Sequence, residues 1–193
     1  MIESPKSSKD LERISMVEFQ QPIRCCNVTA LAYGLTVLGF PTAIDDIFYA
    51  TRLPVSSVLD DGMTLAETYD TALRLMRSSK LPVSVRVVHF DRPDATLSWF
   101  KTEMARAAAD PQDIHLLNFN VNIAHDTALG GGHFALLADY DADTGELTVG
   151  DVNPRKYTRF WKCPVERMYK ACVDKDSASD RSRGLLVLRK EQA

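Results

Sequence analysis

The sequence predicts a single α+β domain, helical in its first half and strand-rich in its second. Three observations carry that prediction. From Cys26 to Leu38 the chain is almost wholly apolar, with Val28, Leu31, Ala32, Leu35 and Leu38 at helical spacing. The stretch MTLAETYDTALRLMRSS opens on Thr64 with Glu67 three residues later, the capping box that starts a helix. Beyond Pro111 the apolar runs become short and alternating, and turn residues separate them.

The elements follow in order. Residues 1–16 read as a loose, polar leader, which leaves 17–193 as one domain with no linker or repeat. Gly39-Phe40-Pro41 stops the Cys26–Leu38 helix, because glycine suits a helix end and proline cannot continue one. Thr42 to Ala50 is expected to be a second helix, and Pro54 to Gly62 a loop. Leu65, Tyr69, Ala72, Leu73 and Met76 then share one face of a third helix. LPVSVRVVHF alternates as a strand, and TLSWFKTEMARAAAD is helical, ended by Asp110-Pro111. IHLLNFNVN, HFALLADYDADTGELTVGDV and GLLVLRK supply the remaining strands, with Asp143-Thr144-Gly145 turning inside the second.

Composition narrows the function classes. The 193 residues are 45% hydrophobic and 25% charged, an ordinary globular balance. A net charge of −3 gives no electrostatic case for nucleic acid or an anionic membrane as partner. Val28 to Phe40 is too short and too interrupted to span a bilayer. The mixed-charge start MIESPKSSKDLERISM does not read as a signal peptide, so a cytoplasmic location with free thiols is expected. Four cysteines are too few for a disulfide scaffold. Two are adjacent and two lie nine apart, so no CxxC spacing exists and no metal site is expected.

The remaining question is what the adjacent Cys25 and Cys26 do at a helix start. A thiol is a good nucleophile only when a helix N-terminus, an imidazolium or both favour its thiolate. Cys26, in the first turn, has the helix dipole behind it. His133 follows three glycines at the start of an apolar strand, and Asp151 comes 18 residues later across the Asp-Thr-Gly turn. An antiparallel pair joined in that way brings a histidine close to an acid on its neighbour. Asn153, two residues on, points to the same side if the strand continues. In such a set Cys26 attacks, His133 moves the proton and Asp151 orients the imidazole. Gln20, six residues before Cys26, is placed to help stabilise an oxyanion alongside the Cys26 amide. Gly131 and Gly132 suit close approach of a substrate backbone. Cys25, Cys163 and Cys172 read as packing residues. His89, His115 and His125 carry no motif, although His125 lies near enough to the glycines to touch substrate.

Gln, then Cys at a helix start, then His and Asp on successive strands resembles the papain-like fold, and more narrowly the phytochelatin synthase family. Q-x5-C-N-V-T-A-L resembles that family's nucleophile segment, and GMTLAE its G-[MIV]-T-[FL]-[DE] helix opening. GGHFALLADYD, LTVGDVNPRKYTRFW and SRGLLVL resemble its histidine, aspartate and closing strands, in family order over roughly residues 19–189. Three departures stand out. Asn27 replaces the usual glycine after the nucleophile, and Pro22 lies one residue further from the cysteine. Pro154 occupies the place of an arginine that holds the γ-glutamyl carboxylate, with Arg155 one position later.

The resemblance implies a short bacterial-type catalytic domain over 17–193 that acts on a small thiol peptide such as glutathione. Cys26 would attack the Cys–Gly amide, release glycine and hold a γ-glutamylcysteinyl thioester. Water as acceptor gives γ-glutamylcysteine, and a second glutathione gives phytochelatin. The substrate-binding candidates are Arg155, Gly131, Gly132, Lys156 and Tyr157. No resident cofactor or metal is expected, although dependence on a metal–thiolate substrate, Cd or Zn complexed with glutathione, stays open. A homodimer also stays open, and metal sensing by a cysteine-rich extension is not expected. The shifted arginine keeps a different acyl donor in play. Two other readings stand beside this one: a double-glycine leader-peptide protease, which expects fusion to a transporter, and a non-enzymatic scaffold, which the Gln20, Cys26, His133 and Asp151 set argues against.

Overall fold

The structure, a computed structural model, describes residues 22, 24–128, 130–153 and 155–191. Four helices come first: α1 (Cys26–Val37), α2 (Ile44–Thr51), α3 (Val55–Asp61) and α4 (Leu65–Ser79). Strand β1 (Val83–His89), helix α5 (Leu97–Ala109), β2 (Asp113–Asn120) and the short α6 (Val121–His125) follow. Then come β3 (Gly132–Asp141), β4 (Glu146–Gly150), β5 (Phe160–Pro164) and α7 (Val165–Val173). A two-stranded ribbon of β6 (Lys175–Asp176) and β7 (Arg181–Ser182) precedes β8 (Gly184–Lys190).

The main sheet is antiparallel, in the order β1-β8-β2-β3-β4-β5. Its side chains alternate between two cores, as a period of two requires. Ile114, Leu116, Phe134, Leu136, Leu186 and Leu188 face the core made with α1, α2 and α4. Leu117, Phe119, Ala135, Leu137, Leu185 and Val187 face the core made with α5, α6 and α7. Burial of both faces explains why these strands read as apolar runs. Gly34 lets α1 lie close on the sheet, since a Cβ there would come within 3.1 Å of Ile114 and Leu188.

Local signals hold where hydrogen bonding is local. The Thr64 hydroxyl accepts the Glu67 N–H at 3.2 Å, and the Glu67 carboxylate accepts the Thr64 N–H at 2.8 Å. The expected Pro54–Gly62 loop is instead α3, with Pro54 at its N-cap and Gly62 at φ 76° ending it. The strand expected over 114–122 stops at Asn120, whose side chain accepts the Asn122 N–H at 2.9 Å and starts α6. Helix α7 was not expected. Its Val165, Met168, Ala171 and Cys172 are buried at helical spacing.

An ionic cluster ties α5 to the sheet. Glu103 accepts from Arg86 at 2.7 Å, Arg106 at 2.9 Å and the fully buried His115 at 2.9 Å. Arg106 also bonds Asp113, which Arg189 of β8 reaches at 2.8 Å.

Candidate active site

Cys26 is the first residue of α1, and Cys25 is its N-cap. The cap is tied down by the Cys25 N–H donating to the Pro22 carbonyl at 3.1 Å and by the Thr29 hydroxyl donating to the Cys25 carbonyl at 2.7 Å. These bonds settle which cysteine faces the cleft. Cys25 points into the core at 1% exposure, while Cys26 is half-buried on the wall of a cleft of about 950 Å³. Burial pushes the Cys25 thiol up, and the neighbouring Cys26 adds to this. Burial likewise pushes Cys163 up to about 11 and Cys172 further still. These three stay protonated packing thiols.

His133 stands second in β3, opposite Phe119 of β2. Its Nε2 is 2.9 Å from Asp151 Oδ1, and Cys26 lies close enough to bear on its charge. Burial opposes charge on this imidazole, but the bond with Asp151 and the nearness of Cys26 outweigh it and push the pKa up to about 10. Asp151 lies one residue beyond β4, not within a strand as expected. Its Oδ1 also accepts the Asn153 N–H at 2.8 Å, and its Oδ2 accepts the Trp161 indole N–H at 2.9 Å. Burial pushes the Asp151 carboxyl up, yet its bonds to His133, Asn153 and Trp161 hold it below the usual carboxylate range. The fold therefore brings Cys26, His133 and Asp151 together, with His133 hydrogen-bonded to Asp151. Gln20 and Pro154 lie outside the described residues.

The other candidates separate. Gly131, Gly132 and Lys156 line the cleft with Cys26. Arg155 is exposed and is not part of that lining. Tyr157 packs beside the pair instead, its ring 5.7 Å from that of His133 and stacked on His125 at 4.5 Å.

Arg183 is the residue that sequence reading missed. It lines the cleft at only 7% exposure, with Asp174 at 3.7 Å, Asp176 at 3.6 Å and its Nε buried without a hydrogen bond among the described residues. A Cβ on Gly132 would fall 2.2 Å from its Nη1. This glycine before the histidine therefore makes room for a guanidinium. The cleft carries both signs of charge, with Arg24, Arg74, Lys156 and Arg183 set against Asp61, Glu67, Asp70 and Asp176. A second hollow of similar volume, beside Phe48 and Tyr49, contains none of the Cys26, His133 and Asp151 set. Among the described residues, no group of three or more His, Cys, Asp or Glu could hold a metal ion, and no helix is long and apolar enough to cross a membrane.

With that geometry in view, the family model for phytochelatin synthase matches residues 14–185. The chain belongs to the phytochelatin synthase family. Among solved structures it is similar to a C39-like peptidase from Bacillus anthracis, with TM-score 0.56 and 15% identity over 93% of this chain and 96% of that one. It is also similar to a double glycine motif protease from an AMS/PCAT transporter, solved with its leader peptide: TM-score 0.53 and 12% identity over 89% and 88% of the two chains. At such identities the likeness shows the fold alone, and that fold is the expected papain-like α+β architecture. The sequence matches none of the curated proteins with which it was compared. Membership of the phytochelatin synthase family supports an enzyme that works through a cysteine nucleophile, by acyl transfer or peptide cleavage.

Proposed function

We propose that this phytochelatin synthase family member cleaves the Cys–Gly amide of glutathione, with Cys26 as nucleophile. The observation that carries the reading is the hydrogen-bonded His133–Asp151 pair beside Cys26, opening on a cleft with a buried Arg183. Cys26 sulfur attacks the amide carbonyl carbon beside His133, whose imidazole already holds the proton. The Cys26 N–H at the start of α1 steadies the oxyanion, a role for which the sequence spacing also nominates Gln20. His133 gives that proton to the departing glycine nitrogen, and a γ-glutamylcysteinyl thioester stays on Cys26. Water, deprotonated by His133, then releases γ-glutamylcysteine; a second glutathione in its place yields phytochelatin. Asp151 keeps the imidazole aimed throughout.

The mixed charge of the cleft supports this donor, because glutathione carries two carboxylates and an ammonium. Arg183 is the preferred partner for a carboxylate, since a guanidinium offers a fork that matches it. The test is glycine release from reduced glutathione, with and without Cd²⁺ or Zn²⁺, and mass spectrometry of the acyl group on Cys26. A mass increment of γ-glutamylcysteine on Cys26 supports the reading. No glycine release under any of these conditions overturns the glutathione donor and points to an acyltransferase with another donor.

A further inference from the structure

A ring of contacts closes around the buried His133–Asp151 pair. From His133 it passes to Tyr157 at 5.7 Å, on to His125 at 4.5 Å, and to Trp161 at 4.1 Å between ring centroids. The Trp161 Nε1–H then donates to Asp151 Oδ2 at 2.9 Å, and Asp151 Oδ1 returns to His133. Phe119 packs edge-on against both His133 at 5.5 Å and Trp161 at 5.9 Å. Three members of the ring, Tyr157, His125 and Trp161, have no part in the acyl-transfer steps above.

We propose that Trp161 is a positioning residue, whose indole N–H holds the Asp151 carboxylate turned toward His133. The argument is geometric. The Asp151 side chain is fully buried, so water cannot replace a lost donor. Oδ1 receives two donors, His133 and the Asn153 N–H, which hold that oxygen in place. Oδ2 accepts, among the described residues, from Trp161 alone, and this bond secures the second oxygen and with it the plane of the carboxylate. Trp161 itself is held on β5, opposite Val149, and is backed by Phe119 and His125. A tryptophan suits the place because it supplies a donor that neither titrates nor accepts, on a ring that fills the space around it.

This inference rests on Cys26, His133 and Asp151 as the reacting set, and not on glutathione. Its test therefore follows iodoacetamide alkylation of Cys26 against pH, which needs no substrate. Trp161→Phe keeps the ring and removes the N–H. Alkylation near pH 6 is expected to slow by roughly ten- to a hundredfold, the usual cost of losing a group that orients another. The acid limb of the profile is expected to move up, because Asp151 loses a bond to its charged form. A purely structural tryptophan would lower thermal stability and leave that limb in place. A Trp161→Phe protein with the wild-type profile overturns the proposal. A wild-type profile that does not respond to His133→Ala overturns the reacting set together with it.

Folding of the variant is not essential to the test. The chain has two tryptophans, Trp99 and Trp161, so the wild-type ¹⁵N spectrum carries two indole signals, which Trp99→Phe assigns. The Trp161 signal is expected to shift with pH along the acid limb and to shift again in Asp151→Asn. An indole signal indifferent to both overturns the proposal.

Discussion

Asp151→Asn gives the most direct measure of the charge held in this site. The substitution keeps the shape of the side chain and removes the anion that faces His133 Nε2 at 2.9 Å. His133 has its pKa raised from 6.5 to about 10, and a rise of that size corresponds to about 5 kcal/mol in favour of the imidazolium. One charge-assisted hydrogen bond contributes roughly 1.5–3 kcal/mol of this, or about one to two pH units. The direct attraction of the carboxylate adds to that. Burial, which alone lowers the pKa, is unaffected by the substitution. His133 is therefore expected to titrate at about 8 or below in Asp151→Asn. The assay is an NMR titration of the four histidine rings, in which the deeply buried His115 serves as an internal reference. Stability supplies a second readout with a definite sign. A raised histidine pKa stabilises the fold fully below pH 6.5, and that contribution is lost as the pH climbs toward about 10. The wild-type slope over that window should flatten in the variant. A His133 that titrates alike in both proteins would refute the claim that Asp151 holds its charge.

Three further outcomes are expected. Cys26→Ser abolishes iodoacetamide labelling in the cleft and all turnover, whereas Cys25→Ser keeps most of both, because Cys25 faces the core at 1% exposure; a dead Cys25→Ser with an active Cys26→Ser would reverse the assignment. Arg183→Lys raises the KM for glutathione by about ten- to a hundredfold, as loss of a forked charged contact implies, while Arg155→Ala leaves it within about twofold; the reverse ranking would return the carboxylate site to Arg155. Glu103→Ala leaves His115 buried beside Arg106 without its anion and costs about 3 kcal/mol, which at a slope of about 2 kcal/mol/M lowers the urea midpoint by about 1.5 M at unchanged slope; a midpoint that does not move would show that the cluster contributes no net stability.

What could be read from the sequence followed from the range of the interactions involved. Thr64 with Glu67, and Gly39 with Pro41 after an apolar run, act within a single turn of chain and announce helix ends directly. His133 and Asp151 are joined by one tight turn, so their proximity followed from strand pairing. The segment Val55–Asp61 misled because Pro54 and Gly62 bound a short polar helix with the same residues that bound a loop. A register irregularity between Leu137 and Asp139 is equally silent in the residue pattern, and Asp151 was expected within a strand that ends at Gly150. Arg183 went unread because its meaning depends on Gly132, about fifty residues earlier, whose missing side chain accommodates the guanidinium. Trp161 was visible only as part of a strand motif, since its partner Asp151 is reached across the β4–β5 edge and not along the chain.

The place of β8 in the sheet sets an order of events during synthesis. This strand comes last among the described elements, yet it lies between β1 and β2, bonded to both. Gly184 opens it at φ 158°, pressed so close to β1 that a Cβ would stand 2.0 Å from the Val88 carbonyl oxygen. Until residues 184–190 have left the ribosome, β1 and β2 have no common partner, and Arg183 has no fixed position beside Gly132. The nucleophile segment is made roughly 150 residues earlier, at a pace of about 5–20 residues per second. A nascent chain therefore carries Cys26 for several seconds before the sheet that organises its cleft can close.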